Sequence, residues 1–121
     1  MNTISNYSAP FPQGPAVAGL VCEGRTYTLP GVCGPWLAFF VTPQGQWRIS
    51  KVYVPEDMRG QGYGRRLLAA VCRAADSAGA TLTLTAEPVR GGLRKSELKA
   101  WYRRMGFVSP MGDDHMERAP S

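Results

Sequence analysis

Hydrophobic and polar positions divide this chain into a weakly patterned first third and a strongly patterned remainder. Trp36-Leu37-Ala38-Phe39-Phe40-Val41 and the run from Gln46 to Val54 read as a hairpin about Thr42-Pro43-Gln44-Gly45. The end of its second strand, Ile49-Ser50-Lys51-Val52-Tyr53-Val54, alternates with the two-residue period of a half-buried strand. The period then changes. Leu67, Leu68, Val71, Cys72 and Ala75 recur on one face of a helix, and Gly79 is placed to cap its end. Thr81-Leu82-Thr83-Leu84-Thr85 returns to alternation, and Pro88 with Gly91-Gly92 predicts a loop. Ser96 is expected to cap a short helix bearing Leu98, Trp101, Tyr102 and Met105, which Gly106 stops before an extended Phe107-Val108. Residues 1–35 hold Pro10, Pro12, Pro15, Pro30 and Pro35 and no helical period. They predict at most short strands over Val17–Cys22 and Arg25–Leu29, with residues 1–15 as a loose arm.

Between the alternating strand and the long helix stands Arg59-Gly60-Gln61-Gly62-Tyr63-Gly64. A strand, a glycine turn and a helix start together make an anion site. The first N–H groups of a helix have no internal partner, and the helix dipole adds positive charge there. Glycines let the backbone approach a phosphate closely. Two familiar phosphate loops do not fit. Arg65-Arg66 stands where the Walker loop needs Lys-Ser/Thr, and Leu67 stands where the dinucleotide fingerprint needs its third glycine.

R-x-x-G-x-G at a strand-to-helix turn resembles the coenzyme A pyrophosphate loop of the GNAT acetyltransferases. The segment Leu98-Lys99-Ala100-Trp101-Tyr102-Arg103-Arg104-Met105-Gly106-Phe107 resembles the second signature of that family, an apolar helix ending in tyrosine, three residues, then Gly-Phe. Met116-Glu117-Arg118-Ala119-Pro120 is similar to the closing strand of many members, so the likeness runs over roughly residues 36–120. It implies one mixed α/β domain over residues 1–121, with a twisted, mostly antiparallel sheet, flanking helices and a truncated N-terminal part. It also implies an acetyl-CoA-dependent N-acetyltransferase. By the same resemblance, Val52, Tyr53 and Val54 would pair with the pantetheine arm. The backbone from Arg59, Gly60, Gln61, Gly62, Tyr63 and Gly64, with Arg65, would cradle the pyrophosphate. Tyr102 stands where the family commonly places a hydroxyl near the cofactor sulfur; its other reading is a core aromatic beside Trp101. Many relatives carry a glutamate on the strand before the loop, whereas Gln46-Trp47-Arg48-Ile49-Ser50-Lys51 offers no carboxylate. Glu87 is the nearest substitute as general base, level with a water chain, while Glu56 and Asp57 read as capping or solvated groups.

Composition narrows the picture. At 121 residues the chain suits one core. No apolar run approaches a membrane span and no signal-peptide layout opens the sequence, so the expected location is cytoplasmic. Cys72 reads as a buried thiol, and a Cys22–Cys33 bridge is disfavoured in that compartment. His115 beside Asp113 and Asp114 lacks ligand-like spacing, so no metal site is expected. The net charge of +5 has a cluster at Arg59, Arg65 and Arg66. The diphosphate and 3′-phosphate of coenzyme A account for that cluster, and direct nucleic-acid binding is not expected. Arg90, Arg94, Lys95, Lys99, Arg103 and Arg104 form a second basic stretch, a solvated helix face or a dock for an acidic partner. A short chain with a helix-poor start has little material for a pocket around a small substrate. The expected acceptor is therefore a lysine or N-terminal amine of a protein, with a polyamine or antibiotic as the competitor. Very short GNAT proteins of this look occur in bacteriophages, and some resemble anti-CRISPR acetyltransferases that modify a lysine of a defence nuclease. The missing strand carboxylate favours another class, a basic module that holds acyl-CoA or a nucleic acid without turnover. Monomer and homodimer both remain open.

Overall fold

The computed structural model describes residues 14–121, so the arm expected over residues 1–15 lies outside it but for its last two residues. Six strands make one sheet in chain order: β1 (Val21–Glu23), β2 (Thr26–Thr28), β3 (Trp36–Val41), β4 (Trp47–Tyr53), β5 (Leu82–Thr85) and β6 (His115–Arg118). Neighbours are antiparallel except β4 and β5. That pair is parallel because helix α1 (Tyr63–Ala78) crosses over between them. Helix α2 (Lys95–Arg104) joins β5 to β6. The mixed, mostly antiparallel architecture implied by the family resemblance is the one found. β1 and β2 are shorter than the expected spans, because Val17 and Leu29 are buried in turns beyond the strand ends.

The sheet buries one face. The cross-strand pairs Phe39↔Ile49, Trp47↔Leu82 and Leu84↔Met116 are buried together with Leu67, Leu68, Val71 and Ala75 of α1. These are the helix positions picked out by the 3.6-residue period, and Cys72 lies among them as a buried thiol. Tyr27 stacks on Phe39 at 4.7 Å between ring centroids, and Phe39 on Trp47 at 4.9 Å, an aromatic column across the strands. The other face presents Trp36, Ala38, Phe40, Arg48, Lys51 and Tyr53, all half-buried or exposed. Across β3 and β4 no residue of that face is buried.

Ser96 does not cap α2. The helix starts at Lys95, and the Glu97 side chain reaches back to accept from the Arg94 backbone N–H at 3.0 Å. A carboxylate in the first turn satisfies an orphan donor and meets the positive end of the dipole as well. The other end of α2 is set by Gly106 at φ +101°, where a Cβ would lie 3.1 Å from Arg118 Nε. Arg118 ties three elements together. Its Nε donates to the Met105 carbonyl at 2.9 Å, and its terminal nitrogens donate to the two Asp76 carboxylate oxygens at 2.7 and 3.1 Å. These bonds, and one from the Ser121 backbone, hold the Asp76 carboxyl down at about 2.

A carboxyl depressed on folding contributes stability that is present above the ordinary carboxylate range, near pH 4, and lost as pH falls toward about 2. Asp76→Asn is expected to flatten that acid limb and lower the melting temperature at neutral pH by several degrees. Thermal melts between pH 2 and 7 check this; an acid limb unchanged in the variant would assign it to other carboxyls.

Candidate active site

The site begins with an extra residue. Ala38 pairs with Lys51 and Phe39 with Ile49, so Ser50 is a bulge on β4, and its hydroxyl donates to the Ala38 carbonyl at 3.1 Å. A bulge bends the strand that carries it. Past the bend β4 leaves β5: the two strands pair only at Trp47↔Leu82 and Arg48↔Thr83. The remainder of β4 keeps backbone donors and acceptors on an edge with no partner strand. An amide-bearing chain can add there as a strand would.

The wedge so formed is the inner part of a cleft of about 490 Å³. Val52, Tyr53 and Val54 line one wall, and Glu87, where β5 runs out, lines the wall across from them. Arg59, Gly60, Gly62, Tyr63, Gly64 and Arg65 line its outer end, while Gln61 is exposed at the tip of the turn and is not part of the lining. Tyr102 closes the cleft from α2. The sequence pattern gives no notice of Val89 and Leu93, which also line it from the loop after β5, nor of Leu98 and Trp101 as wall rather than core. The helical spacing of α2 shows that these residues share a face, but not where that face points.

The outer end fits a phosphate. Gly60 and Gly62 sit at φ +79° and +86°, a region that strains other residues, and a Cβ on either would meet nothing within 4 Å. Gly62 caps α1 without a side chain, no acidic residue stands in the first turn, and Arg65 and Arg66 are exposed at the helix start. The N–H groups of Gly60, Gln61 and Gly62 donate to no backbone carbonyl among the described residues. Unpaired donors at a helix N-terminus are an anion site. Arg59 donates Nε to the Val54 carbonyl at 3.1 Å, which fixes the turn to the strand end, and its Nη1 is buried without a partner. Gly64 differs from its neighbours: its Cβ would meet Val54 and Trp101 at ordinary contact distance, so it packs the helix start onto the wall.

The inner end fits an acid. Tyr102 is 8% exposed, edge-on to Trp101 at 5.1 Å and to Phe107 at 5.7 Å. Its hydroxyl has no hydrogen-bond partner among the described residues, and burial pushes the phenol up to about 12. It is thus protonated throughout the neutral range. Glu87 is exposed, as are Glu56 and Asp57 in the single 3-10 turn, Glu56–Met58, before the loop. Lys95 and Lys99 of the second basic stretch pair with Asp114 at 2.9 and 3.9 Å, so part of that stretch holds the fold. Among the described residues no group of His, Cys, Asp and Glu side chains is placed to hold a metal ion, and no helix is long and apolar enough to cross a membrane.

Known proteins share this fold. The anti-CRISPR protein AcrVA5 superposes with a TM-score of 0.62 at 21% identity, over 73% of this chain and 93% of its own. Ard1 from Thermoplasma volcanium gives 0.60 at 18% identity, over 81% and 72%. The PaiA N-acetyltransferase from Thermoplasma acidophilum, solved in complex with coenzyme A, gives 0.58 at 13% identity, over 78% and 58%. At these identities the likeness is one of fold. No curated protein matches the sequence. The family model described as acetyltransferase (GNAT) domain matches residues 18–109, which take in β1 through α2 and both ends of the cleft. The chain belongs to the GNAT acetyltransferases, and is with them an N-acetyltransferase whose acyl donor is acetyl-CoA.

Proposed function

We propose that this protein, acting as a single catalytic domain, moves the acetyl group of acetyl-CoA to a lysine or N-terminal amine on a protein. The bound donor supplies an activated thioester. The chain supplies the rest. The backbone from Arg59 to Gly64, with Arg65, would hold the pyrophosphate; the strand edge at Val52, Tyr53 and Val54 would align the arm; and Val52, Glu87 and Tyr102 would surround the thioester. Holding the donor in register makes attack by a second molecule nearly unimolecular. Tyr102, neutral and buried beside that end, donates a proton as the sulfur leaves. Glu87 is the carboxylate among the residues that line the cleft, and it or a water chain would take the amine proton.

The observation that carries the macromolecular acceptor is the uncovered sheet face beside the wedge. Before β3 the described chain contributes only β1, β2 and turns. A small amine needs walls that bury most of its surface, whereas a protein surface brings its own. Coenzyme A release would be followed with a panel of single-lysine peptides and folded proteins against spermine and aminoglycosides. Labelling of the peptides or proteins is expected. Turnover confined to the small amines would sink this acceptor class and leave acetyl transfer standing.

A further inference from the structure

An amine acceptor is largely protonated at neutral pH, and some group must take its proton before or during attack. β4 has no carboxylate at the wedge, and Glu87 is exposed with no hydrogen bond orienting it among the described residues. The crotch where β4 and β5 part is better equipped. Arg48, at the last β4–β5 pair, donates from Nη2 to Thr85 Oγ1 at 2.7 Å, across the opening and on the uncovered face. Thr85 pairs with His115 on β6. The imidazole turns Nε2 to Glu117 Oε2 at 2.9 Å and Nδ1 toward Arg48 Nη1 at 3.5 Å. Beside an ionised Glu117, Nε2 carries the hydrogen and donates it. Nδ1 is then the accepting nitrogen, and it faces the crotch. A base oriented through its far nitrogen by a carboxylate is the arrangement that fixes an imidazole for proton transfer. The side chain is 38% exposed, so a proton taken there can return to water.

We propose that His115, backed by Glu117, is the proton acceptor of the transfer, working through one water seated at the crotch. As the amine nitrogen bonds to the thioester carbonyl carbon and the carbon–sulfur bond breaks, the amine proton passes through the water to Nδ1. The departing sulfur takes the Tyr102 hydroxyl proton, and both side chains then re-equilibrate with solvent. The charges around the ring pull both ways. Glu117 on β6 puts a negative charge on the Nε2 side, and Asp113, whose carboxylate accepts from the His115 backbone N–H at 3.1 Å, adds another. Asp114 is engaged by Lys95 and Lys99 from α2. Arg48 from β4 puts a positive charge on the Nδ1 side, but its contact there is at the limit of a hydrogen bond and leaves room for a water to compete. The same guanidinium disfavours an ammonium at the crotch, which helps the acceptor shed its proton. The proposal rests on acetyl transfer and not on the class of acceptor.

The chain has one histidine, so NMR titration of its imidazole needs no assignment. The pH profile of kcat/KM would be measured with acetyl-CoA and a single-lysine peptide, or with spermine where the peptide is not turned over. Failure of the protein-acceptor reading therefore leaves this test intact. The acid limb of the profile is expected to coincide with the imidazole titration. Glu117→Gln removes the carboxylate that orients the ring, so kcat should fall with acetyl-CoA affinity and melting temperature unchanged. His115→Asn should lower kcat by about 10²-fold or more and abolish the limb, with acetyl-CoA affinity unchanged. A limb that persists in His115→Asn, a kcat unaltered in Glu117→Gln, or a limb that vanishes in Glu87→Gln overturns the assignment. The wild-type titration and Glu117→Gln settle the question even if His115→Asn does not fold.

Discussion

Tyr102→Phe is expected to lower kcat on the order of 10²-fold or more while leaving acetyl-CoA affinity and the melting temperature essentially in place. The separation is possible because ring and hydroxyl have different partners. The ring holds its place against Trp101 and Phe107, and phenylalanine keeps both edge contacts. The hydroxyl bonds to nothing in the described protein, so its removal costs the fold nothing and relieves a desolvated polar group. Because burial moves the phenol up to about 12, ionisation of Tyr102 should cause no alkaline loss of kcat below about pH 11. Steady-state kinetics with a melt of each protein decide the matter. An unaltered kcat would make Tyr102 a wall residue and send the departing sulfur to solvent for its proton.

Gly62→Val should reduce acetyl-CoA affinity at least tenfold, about 1.4 kcal/mol. Two effects add. A β-branched side chain at φ +86° strains the turn by about 1–2 kcal/mol, and its methyls project into the space a diphosphate requires. Gly64→Ala is the control, since its Cβ meets Val54 and Trp101 at distances ordinary for packed carbons. Calorimetry on both variants, alongside their melts, checks the contrast. Equal affinity in Gly62→Val and wild type would remove the turn from the binding site.

Elements whose signal is local are legible in the sequence. The β3–β4 hairpin, α1 with its buried stripe and Gly79 cap, and β5 follow from periods of 2 and 3.6 with glycine punctuation, while the closing strand is legible only through the family resemblance. The glycine turn from Arg59 to Gly64 is equally plain. What escapes depends on partners far away in the chain. Ser50 is a bulge only because Ala38 and Phe39 pair on either side of it, so the wedge cannot be seen in the alternation of β4. Ser96 loses the cap to Glu97, a competition one residue wide. Lys99 reads as part of a solvated stripe until the loop at Asp113 and Asp114 comes beside it. His115 has no second histidine or cysteine two to four residues off, and a search for metal spacing passes over it. Its neighbours are Arg48, 67 residues away in sequence, and Glu117.

The one-sided sheet separates two kinds of selection within single strands. Along β3, Leu37 and Phe39 point to the core, while Trp36, Ala38 and Phe40 point away from it. Replacing an inward residue opens a cavity or strains the packing against α1, with penalties of several kcal/mol. Replacing an outward one disturbs little of the fold. On the proposed reading, in which the outer face meets the acceptor, mutations there cost little folding stability, and recognition would diversify by single steps while the donor cleft stays constant. A small transferase built this way can track a changing target faster than one whose recognition surface is also its core.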